Sequence, residues 1–360
     1  MVAMDHELAS IDLDLAPNEA SGLLPVADQP LLDAHGWDHA FWVVLDEGPV
    51  EVSVAVVGHA AGAEVAAGWT IERLHAIVEG DQVKTEDAEA VARHDGWIYV
   101  FGSQFGKKDG PLQPKRSFVA RFREAEVRHV LEPPAATMAV ARPPFLLHRL
   151  VNDALRDGGP EAVRLGPRSH QALIAATRAR GRTQVRDDDL PLNVEGAAFR
   201  DDGSLLLGLR FPTAADGRPL LVELDGIQRL FEPGGGIPEV RGFWVLDAVG
   251  RDGTMAGVRD LTLHDGELHV VTGNIDAREK GSVLLEDYPE GAHTMATHWR
   301  SPLPGDRRSG DLAAERVREF PDLSAIEGIA VDRHGRTFYV SDEDAGVVVK
   351  HTQLVVSEAG

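Results

Sequence analysis

Short hydrophobic runs separated by turn residues recur along most of the chain. Glu195 begins the segment Glu-Gly-Ala-Ala-Phe-Arg-Asp-Asp-Gly, which is followed by the apolar run 205–207. Glu327 begins the matching segment Glu-Gly-Ile-Ala-Val-Asp-Arg-His-Gly, which is followed by the apolar run 338–340. A Gly between two β-rich runs predicts a hairpin, because Gly adopts positive φ without a Cβ clash.

Three weaker copies of this hairpin pattern lie in segments 20–45, 91–101 and 260–271. Their spacing fits the ~40–50 residues expected for one four-stranded propeller blade. The pattern therefore predicts an all-β fold, a β-propeller of five blades, with six as the alternative.

The two ends of the chain predict how the ring closes. The last copy reaches only its third strand, placed at Val347–Val349, before a short tail. The segment Ile11–Leu15 alternates strictly between hydrophobic and acidic residues and precedes the first copy. We expect this N-terminal segment to pair with the last blade as its outer strand and to cover an open sheet edge.

Residues 136–192 interrupt the repeat. Phe145, Leu146, Leu150, Val151 and Leu155 form an apolar stripe at helical spacing, and a second short helix is predicted around 173–176. We interpret 136–192 as a helical insertion within one propeller domain spanning 1–360. A divergent sixth blade is the alternative.

Composition narrows the possible partners. The net charge of −22 opposes binding to nucleic acid or to an anionic membrane, and no apolar run approaches the length of a membrane span. There is no cysteine, which excludes disulfides and thiolate metal sites. The N-terminus lacks the features of a secretory signal, which predicts a cytoplasmic location. The basic residues Lys107, Lys108, Lys115 and Arg116 are interpreted as a solvated loop.

Several motifs resemble a bacterial family catalogued as domain of unknown function 3616. They are Leu-Asn-Val-Glu-Gly-Ala at 192–197, Gly-Leu-Arg-Phe-Pro at 208–212, Gly-Ser at 102–103 with the basic stretch after it, and Gly-Val-Arg-Asp-Leu at 257–261. Gln104 stands where the resemblance leads us to expect a His. The C-terminal segment 326–330, with Ser-Asp-Glu at 341–343, is also similar to phytase-like and lactonase-type propellers. The resemblance implies a propeller fold and no particular reaction.

Acidic residues recur at the start of the predicted innermost strands, which line the central channel of a propeller. Glu195 and Glu327 are equivalent in two copies, and the alignment places Asp260 with them. Converging carboxylates either keep their protons or attract cations. Because Ca²⁺ accepts oxygen donors at variable geometry, Glu195, Asp260 and Glu327 are candidate metal ligands. This arrangement is similar to that of calcium-dependent propeller lactonases and phosphotriesterases.

Two other interpretations of these residues stay open. A Glu copied with each blade can accept hydrogen bonds from backbone amides and lock neighbouring blades together. Alternatively, Arg210 and Arg259 can pair with the carboxylates in place of a metal. A site that contains acidic, basic and amide side chains would suit a small polar ligand. The residues of this predicted site are Asn193, Glu195, Arg210 and Arg259.

The sequence leaves three functions open. The first is binding of a small polar molecule or a divalent cation at the channel mouth. The second is calcium-dependent hydrolysis of lactones or phosphoesters, and the third is a scaffold that binds protein partners. Because the chain has neither a Gly-x-Ser-x-Gly elbow nor a His-Glu-x-x-His motif, the sequence does not decide whether the protein is an enzyme.

Overall fold

Five β-sheets form the framework of the structure, which was obtained as a computed structural model. The structure describes residues 8–15, 19–46, 48–79, 84–127, 134–248, 254–277, 281–305, 307–323, 325–344 and 350–357. None of the described helices is long and apolar enough to cross a membrane.

Each sheet is called a blade here, and its strands are given in chain order. Blade 1 contains β2 (Ala20–Pro25), β3 (Trp37–Leu45), β4 (Val54–Ala60) and β5 (Trp69–Arg73). Blade 2 contains β6 (Ala76–Val78), β7 (Ala88–His94), β8 (Trp97–Gly102), β9 (Val119–Arg123) and β10 (Ala136–Ala141). Blade 3 contains β11 (Asn193–Phe199), β12 (Leu205–Phe211), β13 (Leu220–Asp225), β14 (Glu239–Asp247) and β18 (Gly310–Ala313).

The last two blades complete the ring. Blade 4 contains β15 (Gly257–His264), β16 (Glu267–Gly273), β17 (Thr297–Pro302) and β19 (Glu315–Glu319). Blade 5 contains β1 (Ala9–Leu13), β20 (Ile326–Val331), β21 (Thr337–Asp344) and β22 (Lys350–Ser357). The innermost strands β2, β7, β11, β15 and β20 contact one another in that order, and β20 returns to β2. The β-propeller prediction is confirmed.

The N-terminal strand closes the ring as the alternating pattern predicts. β1 pairs antiparallel with β22, from Ala9 opposite Val356 to Leu13 opposite Thr352. Leu13 and Leu15 are buried against blades 1 and 5. The third strand of this blade is β22, whereas the predicted run Val347–Val349 lies outside the described residues.

Two strands, β6 and β18, join the outer edge of a blade other than the one they are next to in the sequence. β6 follows blade 1 in the chain but pairs parallel with β10 of blade 2. β18 lies within the blade 4 sequence but pairs parallel with β14 of blade 3. Both extra strands cover a sheet edge that would otherwise expose unpaired backbone groups.

The region 136–192 begins with the strand β10, and its helices follow. The α-helices among the described residues are α1 (Gln29–His35), α2 (Leu146–Arg156), α3 (Pro167–Ser169), α4 (Ala176–Ala179) and α5 (Val283–Asp287), with a π-helical segment His170–Ala175 between α3 and α4. Leu147 and Val151 of α2 pack into the core of blade 3. The described residues of 136–192 form no sixth sheet, because β10 belongs to blade 2.

The hydrophobic core lies between the faces of neighbouring sheets. Trp42 of blade 1 packs against Phe122 of blade 2, with ring centroids 5.2 Å apart. The indole N–H of Trp42 donates to the buried carboxylate of Glu124 at 2.8 Å. Sheet-on-sheet packing of this kind holds the innermost strands around a common axis, where the polar residues of the chain converge.

Candidate functional site: a charged cavity at the centre of the ring

A cavity of about 630 Å³ lies where the innermost strands meet. Most of its walls are charged. The acidic residues around it are Glu19, Asp46, Glu86, Asp87, Glu89, Asp109, Glu195, Asp276 and Glu327, and the basic ones are Lys107, Lys108, Arg116, Arg210 and Arg259. The predicted ligand-binding residues Asn193, Glu195, Arg210 and Arg259 all line this cavity.

Bulges in the innermost strands supply one wall residue from each blade. On β7, β11, β15 and β20 the pairing skips one residue, and on β2 it skips two. A bulge re-aims a side chain that would otherwise alternate with its neighbours. The bulge residues that line the cavity are Ser21, Glu89, Glu195, Arg259 and Glu327.

Asp260 does not occupy the position that the comparison of the repeated hairpin copies predicted for it. Pairing resumes at Asp260 on β15, as it resumes at Gly196 on β11, so the residue equivalent to Glu195 is Arg259. A shift of one residue turns a strand side chain to the other face. Asp260 is therefore absent from the cavity wall, and the structure does not bring the proposed ligands Glu195, Asp260 and Glu327 together.

Asp260 instead ties three innermost strands together. Its carboxylate accepts hydrogen bonds from the backbone N–H groups of Leu261 at 2.8 Å, Ile329 at 2.8 Å and Leu23 at 3.4 Å. Burial raises the pKa of the Asp260 carboxyl, although these hydrogen bonds lower it. The interpretation in which a repeated acid locks blades through backbone amides therefore fits Asp260 and not Glu195.

The Gly that follows the bulge residues Glu195 and Glu327 allows the strands to approach closely. A Cβ on Gly196 would lie 2.8 Å from the backbone nitrogen of Leu261, and a Cβ on Gly328 would lie 3.1 Å from the Cα of Gly22. Both distances are shorter than ordinary van der Waals contact, so the ring leaves no room for a side chain there. The repeated Gly is architectural, whereas the Glu before it faces the cavity.

Glu195 is at the centre of a network of ion pairs. Its Oε1 accepts hydrogen bonds from Asn193 Nδ2 at 3.0 Å and from Arg210 Nη1 at 3.1 Å. Arg259 Nη1 lies 3.8 Å from Glu195 Oε2, and Arg259 Nη2 pairs with Glu327. Arg259 thus lies between the two carboxylates proposed as metal ligands, and its positive charge disfavours a Ca²⁺ ion between them. The set Glu195, Asp260 and Glu327 does not fit a calcium site.

Two buried polar residues of this network are incompletely bonded. Arg259 Nε and Nη1 have no hydrogen-bond partner within the described part of the chain, and neither does Asn193 Oδ1. Burial and the nearby Arg210 lower the pKa of Arg259 to about 10, so Arg259 is still a cation at neutral pH. The cavity wall therefore holds spare donors on Arg259 and a spare acceptor on Asn193.

The basic segment 107–116, predicted to be a solvated loop, contributes to the cavity. Lys107, Lys108 and Arg116 line it, and Lys108 Nζ lies 3.6 Å from Asp276 Oδ1. The backbone of this loop is held by the helices, since Thr177 Oγ1 accepts the N–H of Leu112 at 2.8 Å. The sequence signal that was missed is the position of the loop, which directly follows an innermost hairpin.

Gln104, which replaces the His expected from the family resemblance, is buried and structural. Its Nε2 donates to the carbonyl of Gly102 at 3.0 Å, and its Oε1 accepts from Ser117 Oγ at 2.9 Å. Ser117 Oγ in turn accepts the N–H of Phe145 at 2.9 Å, at the start of the helical region. Gln104 therefore joins the loop after β8 to the segment that precedes α2.

Two acids of blade 2 are shifted toward their neutral forms. Burial raises the pKa of Asp87 to about 6, while Arg116 and a hydrogen bond from Ser103 lower it. Burial raises the pKa of Glu89 well above its usual value, and the charges of Glu195 and Asp87 raise it further. A carboxylic acid that keeps its proton near neutral pH is a hydrogen-bond donor and a potential general acid.

The raised pKa of Glu89 predicts a pH-dependent stability. Because the folded pKa exceeds the unfolded one, the protonated acid favours folding at low pH, and this contribution is lost as pH rises through the folded pKa. We expect Glu89→Gln, which stays neutral, to be more stable than the wild type at pH 8 and to show a smaller gain at pH 5. Urea unfolding at the two pH values measures the difference. Glu126→Gln, at an exposed position near blade 2, is the control, and a pH-independent difference would contradict the assignment.

Comparisons with known proteins give fold-level neighbours only. A Thermus thermophilus protein named as a glucose dehydrogenase is 15% identical, with 97% of this chain and 100% of that chain covered and a TM-score of 0.36. The WD40 domain of Neurospora crassa Pan2 is 8% identical, with coverages of 100% and 98% and a TM-score of 0.38. A gluconolactonase from Xanthomonas campestris is 12% identical, with coverages of 94% and 83% and a TM-score of 0.29.

These likenesses transfer no ligand or reaction to this chain, because all three have low identity and low TM-scores. No protein-family model matches the chain. No curated protein matches it in sequence. The resemblance to the domain of unknown function 3616 family therefore stays a prediction, and the function has to be argued from the cavity itself.

Proposed function

We propose that the protein binds a small hydroxylated carboxylate in the central cavity. The observation that carries this proposal is Arg259, a buried cation with two nitrogens that lack a hydrogen-bond acceptor among the described residues. Leaving a buried charged donor unsatisfied is costly, and a ligand oxygen would remove that cost. A carboxylate matches a guanidinium better than a neutral oxygen does, because its hydrogen bonds are charge-assisted.

The other walls support the hydroxyl groups of such a ligand. Asn193 Oδ1 is a buried acceptor without a partner in the described part of the chain, so it favours a ligand O–H. The acids around the cavity outnumber the bases, which disfavours a multiply charged anion such as a phosphate. Lys107 and Lys108 line the same cavity and would attract a single negative charge. Its volume of about 630 Å³ falls within the range of small-molecule sites.

Replacing Arg259 tests this function. We expect Arg259→Gln to weaken binding of hydroxylated carboxylates at least about tenfold, since one charge-assisted hydrogen bond is lost. Isothermal titration with a panel of hydroxy acids of increasing length measures the affinity. Arg259→Lys keeps the charge but not the planar fork, so an intermediate affinity is expected.

The control is Arg300→Gln, a half-buried arginine of the same blade that lies outside the cavity and pairs with Glu267 and Glu315. It should bind like the wild type. If the panel fails to bind to the wild type, or if Arg259→Gln binds as tightly, the cavity does not recognise carboxylates through Arg259. Circular dichroism of each variant separates a loss of binding from a loss of folding.

Hydrolysis of an ester or lactone is a second candidate, favoured by the raised pKa of Glu89. Water would add to the carbonyl carbon, and a protonated Glu89 would donate its proton to the leaving oxygen as the acyl–oxygen bond breaks. In that case the wild type turns over lactones of the acids it binds, and Glu89→Gln abolishes turnover while keeping acid binding. If the protein binds the acids without turning over their lactones, its function is binding alone. We expect no calcium requirement for either activity.

A further inference from the structure

Outside the cavity, two histidines and an aspartate cluster on the second and third strands of blade 1. Asp38 and His39 lie at the start of β3, and His59 lies near the end of β4. His39 and His59 are paired directly across the two strands, so their side chains share one face of the sheet. Their rings are stacked with centroids 4.7 Å apart.

The ligand atoms of this cluster converge. His39 Nδ1 lies 2.6 Å from Asp38 Oδ1, and His59 Nδ1 lies 2.9 Å from the same oxygen. Among the residues that the structure describes, this is the group of three His, Asp or Glu residues whose ligand atoms all lie within 4.8 Å of one another. Both histidines are buried, whereas the Asp38 side chain is 38% exposed, so one side of the cluster faces solvent.

Both ring nitrogens of His59 face oxygen atoms that only accept hydrogen bonds. Its Nε2 lies 3.1 Å from the backbone carbonyl oxygen of Glu64, and because a carbonyl only accepts, a hydrogen bond there requires the ring proton on Nε2. In that neutral ring Nδ1 carries a lone pair, and Nδ1 lies 2.9 Å from the Asp38 carboxylate. Two acceptors cannot bond to each other, so a second ring proton or a metal ion must lie between His59 Nδ1 and the Asp38 carboxylate.

We propose that Asp38, His39 and His59 bind a divalent transition-metal ion of the zinc type. Imidazole nitrogens with one carboxylate suit Zn²⁺, Co²⁺ or Fe²⁺ and not Ca²⁺. Three protein ligands with one open side match the zinc sites that keep a water molecule. The bond from His59 to the Glu64 carbonyl is the outer contact that orients a metal-binding imidazole.

Metal binding requires only a small opening of the cluster. Ligands of a tetrahedral zinc ion are separated by about 3.3 Å, so the His39 and His59 contacts to Asp38, at 2.6 and 2.9 Å, must lengthen by about 0.7 and 0.4 Å. The ion would also brace the seam between blade 1 and blade 5. Arg333 of blade 5 donates to the backbone carbonyl of Asp38 at 3.1 Å, and the His39 ring contacts Phe338.

Metal analysis and titration of the full chain test the site. Protein without an affinity tag is purified in the absence of chelators, stripped, and titrated with Zn²⁺ and Co²⁺. We expect about one ion per chain, a visible absorption band for Co²⁺, and a rise in Tm of about 3 to 4 °C at 100-fold excess over Kd. Ca²⁺ should produce none of these effects.

Variants distinguish this site from incidental binding. Asp38→Asn and His59→Gln should each weaken Co²⁺ binding at least about tenfold. His269→Gln is the matched control, since His269 and His298 form a histidine pair 3.0 Å apart that has no carboxylate ligand with it in the described part of the chain. If wild-type protein binds no stoichiometric ion, or if the three variants bind alike, the proposal is wrong.

Discussion

Asp260→Ala is expected to lower the free energy of unfolding by about 3 to 6 kcal/mol. Three backbone N–H groups lose their acceptor, and each buried unpaired group costs about 1–3 kcal/mol. The weakest of the three bonds, from Leu23 at 3.4 Å, puts the sum below the upper limit. Because these groups belong to β2, β15 and β20, the loss loosens three blades at once.

Urea unfolding followed by tryptophan fluorescence measures this effect. Asp260→Asn keeps an acceptor oxygen of similar size, so a smaller loss is expected. The control is Asp201→Ala, at an exposed position in a hairpin turn. A loss below about 1 kcal/mol for Asp260→Ala would show that the amides find other partners, and the structural role assigned to Asp260 would be wrong.

Removing residues 1–15 is expected to lower Tm by about 4 to 8 °C. The deletion exposes the hydrophobic surface that Leu13 and Leu15 cover, and burying each leucine contributes about 1.5–3 kcal/mol. It also removes the five residues of β1 that pair with β22. The bare edge of β22 should promote association between chains, because unpaired strands template pairing.

Differential scanning calorimetry and light scattering test the two consequences separately. The double variant Leu13→Ser, Leu15→Ser should reproduce most of the drop in Tm while keeping the strand. Asp12→Ser, at the outward-facing position between Ile11 and Leu13, should leave Tm unchanged. An unaltered Tm after the deletion would mean that the N-terminal strand does not stabilise the closed ring.

The fold was predictable because its signal is local and repeated. Asp-Gly and related turns between apolar runs determine hairpins within a few residues, and Ile11–Leu15 alternates strongly enough to identify an edge strand. The outer strands were harder to predict. The segment Gln228–Phe231 follows β13 closely, where a fourth strand could begin, yet it belongs to a 3-10 helix at Ile227–Phe231, and β14 pairs with β13 as the fourth strand. Periodicity does not separate a short strand from a short helix.

The cavity was predictable only in part. Asn193, Glu195, Arg210 and Arg259 belong to repeated segments, and the sequence therefore pointed to the channel mouth. The structure does not place Asp260 beside Glu195 and Glu327 as the metal-ligand hypothesis required, because the bulge on β15 shifts the pairing by one residue and puts Arg259 at that position. The basic residues of segment 107–116 were missed because their position depends on helices far along the chain.

The sequence by itself determined the hairpins, the repeat and the strand that closes the ring, since all three follow from neighbouring residues. Only the tertiary structure decided which charges meet. Whether an acid binds a cation, pairs with an arginine or accepts backbone amides depends on contacts between strands of different blades. Glu195 pairs with Arg210, whereas Asp260 accepts amides from two other blades, and no local pattern distinguishes these two acids.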